Sequence, residues 1–220
     1  MSRTGAPKLR QGSHRVVALC LPGTVAFDLT APAQAFRLAH GPDYTPYYGF
    51  STCSVDGAPV STTSGFEIGV EAGLGGLRRA DTVVVPGYWA IHEPPPAEAT
   101  KALRAAARRG ARVMSVCTGA FALAAAGVLD GRRATTHWAW AADLAARFPA
   151  VEIVPEVLCV DEGDVLTSAG LSAGIDLSLH VIRRDHGPAC AHLGARHMVA
   201  PPHRVGDVDA AIQVVADGEL

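Results

Sequence analysis

Short runs of apolar residues alternate along this chain with longer stretches in which apolar positions recur every three or four residues. The runs at 15–21 (RVVALCL), 47–54, 82–86 (TVVVP), 112–117 (RVMSVC), 133–137, 157–161 (VLCVD) and 164–168 (DVLTS) read as strands. The stretches at 30–40, 97–109, 119–127, 138–147 and 173–186 read as helices. Strands that are apolar at consecutive positions are buried on both faces. Their alternation with helices predicts an α/β fold, a mostly parallel sheet with helices on both faces.

The stretch at 173–186 shows how such a reading is built. Ile175, Leu179 and Ile182 fall on one helical stripe. Ser172 is placed to cap the amino end, and Asp176 to favour the first turn. Arg183, Arg184 and His186 gather at the other end, where Gly187-Pro188 reads as the stop.

One run behaves differently. VMSVCTGAFALAAAGVL, residues 113–129, carries no charge, begins as a strand and breaks at Cys117 into small residues of helical habit. A core strand passing into a core helix accounts for it, since free cysteine is among the most buried residue types. A cysteine displayed at a sharp turn accounts for it too. Ser115-Val116-Cys117-Thr118-Gly119 has small residues two before and two after the central side chain, the spacing of a nucleophile elbow. Such a side chain stands at the carboxyl edge of the sheet, where open α/β sheets bind ligands. The helix that follows favours thiolate there.

Composition narrows the function. A chain of 220 residues, 49% hydrophobic and 18% charged, suits one globular α/β domain. Nineteen basic against twenty-one acidic residues leave a net charge of −2, and no Lys/Arg run exceeds two. Neither a nucleic-acid partner nor a membrane surface is expected from that balance. The uncharged run is interrupted by Ser, Thr and Gly and falls short of the about 20 apolar residues of a membrane span. Cys20, Cys53, Cys117, Cys159 and Cys190 are odd in number and widely spaced without a CxxC pair. A cytoplasmic, reducing setting follows, with no metal and no cofactor expected. Residues 1–13 read as a disordered lead-in: their basic residues precede VVALCL in the manner of a signal peptide, but Pro22-Gly23 ends that run.

Four more segments hold candidate chemistry. In LPGTVAFDLTAPAQAF (21–36), Asp28 sits in the loop just before a helix, placed for capping or for chemistry. In VVVPGYWA (83–90), Gly87 either makes the turn or offers a backbone N–H to an anion. In ATTHWAW (134–140), His137 stands where a short strand meets a helix. In TSAGLSAGID (167–176), small residues leave backbone free at a helix start.

In this order FDLTAPAQAF, VVVPG, SVCTGAFALAAAGVLDGRRATTHW and LTSAGLSAGIDLSLHVIRRDHG resemble the PfpI-like superfamily, with its class I glutamine amidotransferase-like fold. The likeness is greatest to the amidotransferase-like N-terminal domains of AraC-type transcriptional regulators. ARHMVAPPHR at 195–204 is similar to the end of those domains, so the PfpI-like domain is placed at 14–205. The resemblance implies a flavodoxin-like three-layer sandwich, dimeric, with Cys117 on the elbow and Asp28 beside its thiol. It puts His137 near the same pocket, makes the N–H groups of Gly87 and Thr118 oxyanion donors, and makes Thr118, Gly170 and Ser172 ligand contacts. Isonitrile hydratases, relatives in that superfamily, likewise pair an aspartate with a cysteine followed by threonine. A carboxyl beside a thiolate is raised by the like charge, so Asp28 is expected to stay protonated and act as general acid while Cys117 attacks.

The sequence departs from the family at three points. Thr118 stands where protease-like members have histidine, which weighs against a peptidase. VPGY replaces a double-glycine turn, so Tyr88 and Trp89 reshape the pocket mouth. Residues 206–220 read as a tail with no DNA-binding helix-turn-helix. The leading expectation is a ligand- or redox-sensing domain of an AraC-type regulator. A freestanding cysteine-dependent hydratase, amidohydrolase or glyoxalase-like enzyme comes second, and a purely structural dimerisation module third. The ligand is a small molecule, its pocket shaped by loops 41–65 and 88–97. Tyr44, Tyr47, Tyr48, Trp89, Trp138 and Trp140 are the aromatic candidates to line it.

Overall fold

Six strands form the central sheet of the computed structural model, which describes residues 13–201. They are β1 (His14–Leu19), β2 (Tyr48–Cys53), β5 (Thr82–Val85), β6 (Arg112–Val116), β9 (Cys159–Asp161) and β10 (Val165–Ser168). Their order is β2-β1-β5-β6-β10-β9, parallel throughout except that β9 runs antiparallel to β10. Two short pairs lie apart from it: β3 (Val60–Ser61) with β4 (Glu67–Ile68), and β7 (Arg133–Ala134) with β8 (Glu152–Ile153).

The apolar strands bury both faces because successive side chains point to opposite sides. Val17, Leu19, Val83, Val85 and Val113 enter one core with α2 (Ala97–Arg108), α3 (Gly119–Ala125) and α4 (Ala141–Arg147). Val16, Ala18, Val84, Met114 and Val116 enter the other with α1 (Ala26–Leu38), α5 (Ser172–His186) and α6 (Pro188–His197). The mostly parallel, doubly covered sheet expected from the alternation is the fold observed, with the three layers that the family resemblance implied.

Several local expectations change. α1 begins four residues earlier than the pattern predicts, so Asp28 lies in its first turn and not in a preceding loop. The run at 133–137 keeps only two strand residues, because Thr135 and Thr136 turn inward to bond other segments. The helix expected at 138–147 divides into a 3-10 turn, Trp138–Trp140, and α4. Ser172 does not cap α5: Leu171 takes the cap position with φ 48°, no side chain caps it, and Asp176 falls beyond the first turn. Gly187 ends α5 as expected, but Pro188 opens α6, since proline is well placed at a first helical position. The lead-in, apart from Ser13, and the tail at 206–220 lie outside the described residues.

At the amino end of the sheet Arg112 makes a bidentate ion pair with Asp185, at 2.8 and 2.7 Å, and Tyr48 donates to the same carboxylate at 2.8 Å. Burial alone would raise the Asp185 carboxyl; the Arg112 and Tyr48 bonds outweigh it and hold the group below its ordinary range. This cluster ties β6, α5 and β2 together and leaves the carboxyl end free to carry the site.

Candidate functional site

Cys117 follows directly on β6 with φ 56°, the left-handed region that a side chain makes costly. Neighbours hold it there. Its N–H donates to the Ser168 carbonyl at 3.0 Å, and its own carbonyl accepts from Thr136 Oγ1 at 2.9 Å. Gly119 starts α3 directly under the Val85 carbonyl, where an added Cβ would collide with that oxygen. Gly170, at φ 106°, lies so close that an added Cβ would sit 2.8 Å from the Cys117 sulfur. The sharp strand-to-helix turn expected at 113–129 is therefore present, with Cys117 buried in it.

Asp28 arrives from the first turn of α1 and is fully buried. Its Oδ1 accepts the Leu171 N–H at 2.8 Å, and its Oδ2, without a well-formed hydrogen bond, lies against Gly87 and the Cys117 thiol. Burial pushes the Asp28 carboxyl up to about 6, against the pull of the Leu171, Cys117 and Gly87 contacts. Burial, then the Asp28 charge, push the Cys117 thiol up to about 12, while the Thr118 N–H pulls it back.

This corrects the expected thiolate. Desolvation of an almost closed site outweighs the elbow's backbone dipoles, and Cys117 keeps its proton near neutrality. Asp28 is raised as expected, though chiefly by burial and not by a like charge. With a pKa of about 6 it is mainly carboxylate near neutrality, while the thiol beside it is the protonated partner.

The other expected residues are placed as follows. Thr118 lines the pocket, but its hydroxyl accepts from the Tyr88 N–H at 2.9 Å and donates to the Tyr88 carbonyl at 2.8 Å. It fastens the 86–89 turn to the elbow. The Gly87 carbonyl accepts from the Val25 N–H at 2.7 Å, and its own N–H is directed to Asp28. His137 lines the pocket with its Nδ1 accepting from the Ala139 N–H, and burial lowers its pKa. No hydrogen bond joins it to Cys117 or Asp28 among the described residues. Gly170 backs the sulfur, whereas Ser172 is exposed on α5.

A pocket of about 210 Å³ opens above the thiol. Val25, Tyr88, Trp89, Ile91, Trp140 and Leu171 supply its mostly apolar wall, with the Trp89 and Trp140 rings at right angles and 6.3 Å apart. Of the expected aromatics, Trp89 and Trp140 line it and Tyr44, Tyr47, Tyr48 and Trp138 do not. Sequence reasoning missed Thr136 and Leu171. The first had a signal in ATTHW; the second acts through its backbone and had none. Among the described residues no three metal-ligating side chains come together, and no helix is long and apolar enough to cross a membrane.

A doubly covered parallel sheet, with a cysteine at the strand-to-helix elbow and a buried carboxyl beside it, defines the class of α/β proteins to which this chain is assigned. It belongs to the DJ-1/PfpI family, whose model matches residues 14–184. The chain is 32% identical over 183 residues to the HTH-type transcriptional regulator GbdR of Pseudomonas aeruginosa, covering 83% of this chain and 50% of that protein. It thus spans about half the length of that regulator. It is also 32% identical over 203 residues to the isonitrile hydratase of Pseudomonas putida, covering 90% of this chain and 85% of the enzyme. Among solved structures, an AraC family transcriptional regulator from Pseudomonas putida superposes with a TM-score of 0.74 at 24% identity. That match covers 84% of this chain and 99% of the other, and at such identity it supports the fold alone.

Proposed function

We propose that this chain is the ligand-sensing domain of an AraC-type transcriptional regulator, acting in the cytoplasm as a homodimer and without a cofactor. The alignment with half of GbdR supports the regulatory setting. The observation that carries sensing over catalysis is the thiol: Cys117 is 6% exposed and pushed up to about 12. A protonated, almost closed thiol is a poor nucleophile and oxidises slowly, which favours ligand sensing over redox sensing. The ligand is a small, mostly apolar molecule, since the pocket is below the about 300 Å³ at which drug-sized sites begin. Leu171, whose N–H holds Asp28, joins that pocket to α5 and passes occupancy into the helix layer.

The isonitrile hydratase relative, spanned over most of its length, favours a second reading. There Asp28 takes the Cys117 proton as the sulfur adds to the isonitrile carbon, and returns that proton to the same carbon. The resulting thioimidate takes up water, gives the N-substituted formamide and releases the thiol. The expected oxyanion role of Gly87 and Thr118 would require their N–H groups to turn from Asp28 and the Cys117 sulfur, to which they are directed, toward the substrate. Incubating the chain with a small alkyl isonitrile separates the two readings. Sensing predicts no formamide by mass spectrometry beyond the rate of a Cys117→Ala variant. Formamide that forms with turnover and disappears in that variant overturns it.

A further inference from the structure

The amino edge of the sheet, opposite the pocket, is arginine-rich in a way no stretch of sequence announces. Two adjoining open grooves of about 550 and 500 Å³ lie there and share Ala111 and Asp164. Eight arginines and three aspartates line them. The doublets Arg78-Arg79 and Arg108-Arg109 reach this edge from two neighbouring segments, the 3-10 turn before β5 and the end of α2. Arg109 joins those segments by donating to the Leu77 and Ala80 carbonyls at 2.9 and 3.0 Å.

Eight guanidinium groups face four carboxylates, Asp81, Asp130 and Asp164 in the grooves and Asp185 beside them, so half of this charge is left uncancelled. Asp81 pairs with Arg15, and Asp185, from α5, pairs with Arg112. The carbonyl contacts of Arg104 and Arg109 orient those side chains but leave their charge intact. Arg78, Arg79 and Arg108 are exposed and have no hydrogen bond or ion pair among the described residues. His14, also at the edge, adds no charge near neutrality, because burial first and Arg112 next lower its pKa. A chain of net charge −2 thus presents one strongly positive face.

What such a face fits is narrowed by what it lacks. Guanidinium groups match phosphate oxygens two bonds at a time. No Trp, Tyr or Phe lines either groove, so nothing is there for unpaired bases to stack on. The apolar lining is alanine and valine, without the large anchor that centres a protein interface. Two open grooves side by side suit an extended polyanion. We propose that this edge binds the phosphate backbone of duplex DNA without sequence preference. It differs from the expectation, drawn from the net charge and the absence of long basic runs, that the chain has no nucleic-acid partner. It rests on the surface charge alone and stands whether the pocket senses or catalyses.

The test is fluorescence anisotropy of a labelled random-sequence duplex of about two helical turns, titrated with the full chain at several salt concentrations. Wild type should bind at low salt. The triple variant Arg78→Glu, Arg79→Glu, Arg108→Glu should lose most of that binding, and its log–log salt slope should be shallower by about 2.7, from about 0.9 per phosphate. Arg37→Glu, Lys101→Glu, Arg196→Glu changes net charge equally at exposed residues that do not line the grooves and should keep the slope. Thermal unfolding checks that each variant folds, and Arg79→Glu alone, with a slope change of about 0.9, carries the test if the triple variant does not. No wild-type binding at low salt, equal loss in both triple variants, or displacement of the duplex by inorganic tripolyphosphate at equal phosphate would each overturn the proposal.

Discussion

Asp28 is a carboxyl that folding takes out of water and leaves with one oxygen short of a partner. Its pKa rises from an ordinary 3.8 to about 6 in the folded chain. A group raised in this way favours the folded state below its unfolded pKa, and the benefit is lost as pH climbs through the folded value. Asp28→Asn keeps an acceptor for the Leu171 N–H and removes the buried charge. Relative to wild type, the variant should gain about 2 kcal/mol of stability between about pH 4 and pH 7, read from denaturant unfolding at both ends. A constant difference across that range would mean that Asp28 is not desolvated as described. At this scale the sequence was half legible. SVCTG announced the turn at Cys117, because steric demands there restrict the residue types. The direction of the thiol's shift was not visible, because burial comes from residues brought in by α1, the 86–89 turn and Leu171.

The elbow works as an element because β6, α3 and the 86–89 turn meet with almost no clearance. Gly119 is the tightest point. Replacing a helical glycine by alanine ordinarily helps by up to about 1 kcal/mol, but the new methyl here meets the Val85 backbone, which cannot swing aside as a side chain can. Gly119→Ala should therefore destabilise the chain by about 2–3 kcal/mol, seen as a lower denaturation midpoint with an unchanged slope. An unchanged or higher midpoint would show that the close approach is not real. Strands buried on both faces were the easiest elements to read, since β1, β5 and β6 stay apolar at consecutive positions. α6 was hidden because Gly187-Pro188 serves as the end of one helix and the start of the next. Leu171 was hidden because it caps α5 with backbone geometry alone.

Over the whole molecule the two edges of the sheet carry different groups. The carboxyl edge holds a small apolar pocket over a thiol and a carboxyl; the amino edge holds the Arg112–Asp185 cluster and the open arginine face. Neither edge exists in any one segment; the arginine doublets at 78–79 and 108–109 meet only when the chain folds. In the proposed sensing role Cys117 is a thiol kept protonated by burial and by Asp28, so that the pocket reads a ligand and does not attack one. The most direct measurement is the rate of Cys117 alkylation by iodoacetamide in the folded chain across pH, resolved by peptide mass spectrometry. A thiol held up at about 12 should be alkylated at a rate that climbs about tenfold per pH unit from about pH 7 to pH 10 with no plateau, as thiolate remains the minor form throughout. A rate that levels off at or below about pH 8 would contradict it and return Cys117 to the role of an activated nucleophile.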